Sequence, residues 1–248
     1  MIIKHLSPSR IETFDQCQLK YHARYEEGLK GPVHELTTMG SAVHKGAELG
    51  MEALMRGEER VSFQALVKKA CAAMGVSRPN SVLAMELMEN GLKWGYLRKA
   101  GSCVGVEIGF YLELPDGTKV KGIMDRVDRL PSLLDVIDLK TQKSPIEEPI
   151  EETGQSVAYN WAARKKFDFH GDLSMSYWVL RHRVQRCWMT EDDAKRGEEM
   201  LMAKAEEIRS CVDPRPNPSA LCPWCPKQPT CPASNMGVKQ RFRRKSNG

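Results

Sequence analysis

Between Val104 and Leu114 apolar and polar residues alternate, with Val104, Val106, Ile108, Phe110, Leu112 and Leu114 at the even positions and Gly105, Glu107, Gly109, Tyr111 and Glu113 between them. A period of two held this long is a strand with one face in a core, and it is incompatible with a helix. Asp116-Gly117 then signals a hairpin turn. A second strand follows over Lys119 to Arg129, and Pro131-Ser132 turns the chain into a third, Leu134 to Thr141. A sheet begun this way must be covered, and the flanking segments supply helices. Ser9-Arg10-Ile11-Glu12 reads as a capping box opening a short helix that carries Cys17, Tyr21 and Tyr25. Gly40 to Arg56, Ser62 to Met74 and Asn80 to Ala100 read as three more, stopped by Gly57, Gly75 and Gly101. Beyond the third strand come a helix from Ile150 to Lys166 and a strand-like stretch from Leu173 to Trp188. Thr190-Glu191-Asp192-Asp193 is a second capping box and starts a helix to Cys211. The fold class is therefore α/β, a mixed sheet flanked by helices, with a helical N-terminal part.

Composition narrows the class of function. With 41% hydrophobic and 28% charged residues in 248, a disordered or fibrous chain is excluded, and one or two domains fit the length. No apolar run approaches the roughly 18 residues of a membrane span. The opening residues, MIIKHLSPSR, lack the apolar stretch of a secretory signal, so a cytoplasmic location is expected. No G-x-x-x-x-G-K-[ST] phosphate loop occurs, which argues against an NTP-driven motor within this chain. The net charge of +5 is mild, but it is concentrated in Lys239-Gln240-Arg241-Phe242-Arg243-Arg244-Lys245. Such a run is either a solvated tail or an arm that displaces counterions from a phosphate backbone.

Of the eight cysteines, Cys71, Cys103, Cys187 and Cys211 are scattered. Cys222-Pro223-Trp224-Cys225 and Cys231 instead share a proline-rich loop that suits neither helix nor inner strand and presents thiolates. Zinc and iron–sulfur sites usually take four ligands. Cys17, among polar neighbours, is the best fourth, with a histidine or Cys211 as the alternatives. A second chemical locus lies on the strands. In Val136-Ile137-Asp138-Leu139-Lys140, Asp138 and Lys140 point to one face and Ile137 and Leu139 to the other. Asp125 lies on the neighbouring strand of the hairpin. Two carboxylates from adjacent strands make a natural Mg²⁺ or Mn²⁺ site, because hard cations take oxygen ligands. Taken alone, Asp138-x-Lys140 is better explained by a surface salt bridge, since the triplet is short and common.

The order of these parts resembles the RecB-like branch of the PD-(D/E)XK nuclease superfamily: hairpin, G-x-x-D at Gly122 to Asp125, an apolar strand ending in Asp138-x-Lys140-Thr141, then a helix with Gln155 and Tyr159. The C-x2-C-x5-C with one cysteine far upstream is similar to its iron–sulfur subgroup, which includes AddB-type and CRISPR-associated exonucleases. The resemblance runs from Ser7 through Cys231. It implies a restriction-endonuclease-like core and a metal-dependent exonuclease acting on DNA ends, most naturally single-stranded. By the same resemblance His44, in Gly40-x-x-x-His44, together with Asp125, Asp138 and the Leu139 carbonyl, would hold Mg²⁺ or Mn²⁺. Glu107 matches a further acidic residue that some members carry. Lys140 would be the catalytic lysine, with Asp125 and Asp138 completing the catalytic set. Gln155 and Tyr159 would meet DNA or support the site. Cys17, Cys222, Cys225 and Cys231 would hold a [4Fe–4S] cluster, with Zn²⁺ as the alternative.

The implied organisation is a helical part over 1–100, a nuclease core over 101–212, a cysteine loop over 213–235 packing on the N-terminal helix, and a basic tail over 236–248. Lys239, Arg241, Arg243 and Arg244 of that tail are further DNA-binding candidates. A protein partner such as a helicase, a recombinase or a CRISPR-adaptation protein is compatible with this reading; a membrane is not. Two rival functions remain at this level. One is a non-catalytic DNA-binding subunit of a larger complex; the other is a zinc-stabilised interaction protein.

Overall fold

The structure, a computed structural model, describes residues 1–97 and 100–234. The basic positions Lys239, Arg241, Arg243 and Arg244 lie outside the described residues. The N-terminal helix begins earlier than its apparent capping box: Ser7 is the cap, its Oγ accepting from the Arg10 amide at 3.2 Å, and Pro8 takes the first helical position. The expected single helix is two, α1 (Pro8–Gln16) and α2 (Gln18–Tyr25). Cys17 stands between them in extended backbone, and its Sγ accepts from the Lys20 amide as the cap of α2.

Three helices follow: α3 (Glu35–Met55), α4 (Phe63–Ala73) and α5 (Arg78–Lys93). The first starts five residues before the expected Gly40, because the His34 ring accepts from the Leu36 amide and caps it. The last ends at Lys93, capped by Trp94, rather than at Ala100, and Gly95 beyond it takes a φ of +94° open only to glycine at little cost.

Five strands form one sheet in sequence order: β1 (Cys103–Glu113), β2 (Lys119–Arg129), β3 (Leu133–Lys140), β4 (Asp172–Val179) and β5 (Arg183–Met189). Neighbours pair antiparallel except β3 and β4, which are parallel. A parallel pair needs a crossover, which α6 (Gly154–Phe167) supplies. The stretch from Leu173 to Trp188 is thus two strands. They reverse at Leu180 to His182, which contains no glycine, proline or asparagine to announce a turn. The helix α7 (Glu191–Ser210) opens with the expected capping box of Thr190 and Asp193.

Helices cover both faces of the sheet. One apolar cluster joins Phe14 and Tyr21 of the N-terminal pair to Trp161 on α6, Leu201 on α7, and Leu134, Val136 and Tyr177 of the sheet. The other joins Met51, Phe63 and Met88 of α3–α5 to Ile137, Leu139 and Trp178. The N-terminal helices are therefore divided between two faces, and β3, buried on both, carries apolar residues on each, broken by Asp135, Asp138 and Lys140. Arg126 of β2 is fully buried in the second layer. It forms two 2.7 Å hydrogen bonds to Asp128, donates to the Tyr96 carbonyl, and lies 4.8 Å from the Tyr96 ring centre. Among the described residues no helix is long and apolar enough to cross a membrane.

Candidate active site

On β1 the alternation does not run unbroken. Ile108, Phe110 and Leu112 pack in the first cluster, but Val106 packs in the second and Val104 is 42% exposed. The break is at Glu107, whose φ of +47° lies in the left-handed region. That conformation costs a non-glycine residue about 1–3 kcal/mol and is kept where surrounding structure enforces it. The flanking pairs Val106↔Arg126 and Ile108↔Met124 bracket Glu107 on one strand and Asp125 on the next. On β2 the same change of face occurs at Asp125: Met124 joins the first cluster, while Arg126 is bonded within the second layer. Both carboxylates are thereby released from the pleat at one level.

His44 completes this level from α3. Its Nδ1 is 3.2 Å from Asp125 Oδ2. Gly40, one turn earlier, makes the approach possible: a Cβ there would lie 2.8 Å from Thr141 Oγ1, just past the end of β3. Ligand atoms of His44, Glu107 and Asp125 lie within 4.8 Å of one another, the one such trio among the described residues. Asp125 Oδ2 also accepts from the Leu139 amide at 2.7 Å, so Leu139 is tied to the site by its N–H.

Asp138 and Lys140 share the face of β3 that looks toward α6, and a buried carboxylate pairs there with a half-buried lysine rather than forming a surface salt bridge. Lys140 Nζ lies 2.8 Å from Asp138 Oδ2 and donates to Gln155 Oε1 at 2.6 Å, while Gln155 Nε2 donates to Asp138 Oδ1 at 2.6 Å. Asp138 is 3% exposed, and its Oδ2, though ion-paired, completes no hydrogen bond. The Lys140 ammonium sits 5.1 Å from the centre of the Tyr177 ring, whose hydroxyl is held by Thr153 and Ser156. Tyr159 is buried with its hydroxyl on the Ile123 carbonyl, so it braces β2 from behind. Tyr177 has no counterpart among the sequence-predicted residues. It lies in an apolar run, and only the parallel register Asp138↔Tyr177 gives it a place beside the lysine.

Electrostatics follow from this crowding. Burial alone would lower the His44 pKa, but Asp125, Asp138 and Glu107 carry it up to about 9. Burial pushes the Asp138 carboxyl up, and Lys140 offsets part of that. Burial also raises Glu107, reinforced by Asp125 and opposed by His44. For Lys140 burial favours the neutral amine, yet Asp138 more than compensates and keeps it an ammonium. The cage thus favours positive charge. Two carboxylates and one imidazole, with the unsatisfied Asp138 Oδ2 close by, form a donor set that fits a divalent cation of the Mg²⁺ or Mn²⁺ kind. Two depressions meet here along Ile123. One is lined by His44, Lys45, Glu107, Asp125 and Thr141; the broader one by Lys121, Lys140, Gln155 and Tyr177.

Away from this site, Cys17, Cys222, Cys225 and Cys231 line one pocket together with Lys20. Cys211 ends α7 and packs against the first apolar cluster. Cys17 Sγ accepts from the Lys20 and Asn217 amides at 3.4 and 3.3 Å, and Cys222 Sγ from the Ser219 amide at 3.2 Å. The loop is further tied to the segment before α3, since Lys227 bonds Glu27 and Trp224 meets the His34 ring edge-on at 5.4 Å.

The sequence profile of the PD-(D/E)XK nuclease superfamily matches residues 5–232. No curated protein matches significantly. Among solved structures, a candidate exonuclease from Eubacterium rectale superposes with a TM-score of 0.54 at 12% identity, covering 94% of this chain and 88% of that one. The structure of SSO0001 gives 0.47 at 15% identity over 94% and 89%. At these identities the likeness is one of fold.

Proposed function

Because the chain belongs to the PD-(D/E)XK nuclease superfamily, we propose that it is a metal-dependent exonuclease of the RecB-like branch, hydrolysing phosphodiester bonds from single-stranded DNA ends. The observation that carries this is the adjacency of two sets: the His44–Glu107–Asp125 cage and the half-buried Asp138–Lys140–Gln155 triad. His44, Glu107 and Asp125, with Asp138 at the edge, would hold Mg²⁺ or Mn²⁺, which supplies Lewis acidity to the phosphodiester. The Leu139 carbonyl is proposed as a further ligand on the family's pattern.

Lys140 remains an ammonium, so its part is electrostatic. It orients the attacking water and stabilises charge that grows on the phosphoryl oxygens. Gln155 holds Lys140 and Asp138 in register, and the Leu139 amide fixes the Asp125 carboxylate. Tyr177 cushions the ammonium and keeps bulk water from its underside.

The four cysteines are proposed to hold a [4Fe–4S] cluster that ties the N-terminal helix pair to the C-terminal loop. Backbone amides of Lys20 and Asn217 point at the Cys17 sulfur, and that of Ser219 at the Cys222 sulfur. Zn²⁺ at the same four thiolates is the alternative. The helical part over 1–100, the core over 101–212, the cysteine loop over 213–235 and the tail over 236–248 are the functional units of this proposal. A helicase, a recombinase or a CRISPR-adaptation protein is a partner compatible with it.

The test is digestion of end-labelled linear and closed circular single-stranded DNA with Mn²⁺ or Mg²⁺ by protein purified without air, beside Lys140→Ala. Degradation of linear DNA alone, lost in the variant, supports an exonuclease. A wild type that binds DNA but cleaves none, with metal and cluster present, supports a binding subunit. Iron and sulfide analysis decides the cofactor, and a colourless, zinc-loaded protein without DNA affinity favours the interaction protein.

A further inference from the structure

Cations that the site chemistry does not use lie on the loop leaving Lys140 and on the chain bonded to it. The β4–β5 turn and the start of β5 are fastened to that loop by four hydrogen bonds. The Leu180 amide donates to the Lys140 carbonyl at 2.9 Å, and Arg181 Nε to the Thr141 carbonyl at 3.0 Å. His182 Nε2 donates to the Lys143 carbonyl at 2.7 Å, and Gln185 Nε2 to the Ile146 carbonyl at 3.0 Å. Arg183 is exposed and, two positions from Gln185 on β5, shares the face that meets this loop. Lys143 is exposed within the loop itself. Among the described residues Lys143, Arg181 and Arg183 make no ion pair with a carboxylate. With its Nε engaged, Arg181 keeps both terminal nitrogens for a further acceptor.

These are cations held at a fixed offset from the catalytic strand and left without anions. The broader depression itself carries carboxylates: Glu12, Asp15 and Glu152 line it, as do Glu147 and Glu148 further along the loop that carries Lys143. A polyanionic strand is repelled by these carboxylates and drawn to the three unpaired cations. We propose that Lys143, Arg181 and Arg183 form a phosphate clamp that grips the backbone of the DNA strand next to the phosphodiester presented to Lys140. The clamp rests on the nuclease reading above and adds to it the side on which the substrate's neighbouring phosphates lie.

Lys143→Ala/Arg183→Ala tests it and leaves the Arg181 bond to Thr141 in place. The control is Lys68→Ala/Lys69→Ala, an equal loss of charge at two exposed lysines of α4. Binding of fluorescein-labelled oligothymidylate is read by anisotropy over a salt series in Ca²⁺, and hydrolysis of bis(p-nitrophenyl) phosphate, a diester with no neighbouring phosphate, is read in Mn²⁺. Each single-strand phosphate contact contributes about 0.7 to the slope of log K against log salt, so the clamp variant should lose about 1.4, roughly 25-fold in affinity at 0.1 M salt. Its hydrolysis of the small diester should equal that of the wild type. A slope and affinity equal to the wild type, or an equal loss in the control pair, overturns the clamp. A wild type that cleaves neither DNA nor the small diester overturns the nuclease reading instead, and the binding comparison still decides the clamp.

Discussion

Replacing Gln155 by alanine isolates the contribution of positioning to this site. Its amide bridges the two groups that define the motif, accepting from Lys140 Nζ and donating to Asp138 Oδ1, each at 2.6 Å. Asp138 Oδ2 already lacks a hydrogen bond, so the variant leaves a buried carboxylate with only its ion pair to Lys140. An unsatisfied buried polar group costs about 1–3 kcal/mol, more when charged. Supporting bonds around metal-site carboxylates are worth roughly 10–100-fold in activity. The two scales agree, and kcat/KM should fall by about 10–100-fold. The pH dependence adds a sign. Burial already raises the Asp138 carboxyl, and the lost donor had favoured its ionised form. The pKa therefore rises further, and the acid limb of the activity profile moves to higher pH. Gln155→Glu keeps an acceptor for Lys140 but sets a second carboxylate against Asp138, so it should be the more damaged of the two. The assay is kcat/KM on end-labelled single-stranded DNA across pH, with thermal unfolding to confirm that both variants are folded. A folded Gln155→Ala enzyme within threefold of wild type, with an unmoved acid limb, would falsify the positioning role.

Two further variants probe the scaffold. Asp128→Ala removes both 2.7 Å bonds to the fully buried Arg126 and should destabilise the protein by about 3–5 kcal/mol in urea unfolding. The double variant Arg126→Met/Asp128→Leu should recover most of that loss, and a double variant less stable than the single would refute the buried-charge account. A Cβ at Gly46 would stand 2.3 Å from Val67 Cγ2 and 2.8 Å from its backbone, a contact no rotamer relieves. Gly46→Ala should cost about 1–3 kcal/mol of overpacking, against a helix-propensity gain of about 1 kcal/mol. The net loss is thus about 0–2 kcal/mol, the melting temperature should fall by about 2–4 °C for each kcal/mol of it, and a raised value would count against this packing of α3 on α4.

What was legible in the sequence is what depends on neighbours a few residues away. The bounds of β2 follow from turn signals on both sides, and the shared face of Asp138 and Lys140 follows from the period of a strand. Thr190 and Asp193 announce α7 because a capping box is closed within four residues. The β4–β5 turn was not legible: Leu180 to His182 holds no turn-forming residue, and besides the His182 amide on the Val179 carbonyl it is held by bonds to Lys140, Thr141 and Lys143, far away in sequence. The exchange of faces at Glu107 was hidden for the same reason. A left-handed glutamate is disfavoured locally, and only the cage it enters with Asp125 and His44 gives it a purpose.

The histidine stands between these two cases. The four-residue spacing from Gly40 to His44 puts both on one side of α3, and that much is local. The reason for glycine is not: its hydrogen faces Thr141 Oγ1 where a Cβ would intrude to 2.8 Å. Thr141 directly follows Lys140, so the helix that brings the imidazole to Asp125 is registered against the strand end that carries Lys140. One close contact thereby sets the distance between the cage and the Lys140 triad. A side chain at Gly40 would push His44 away from Asp125 without touching either residue, which is why the glycine is a part of the site although it supplies no functional group.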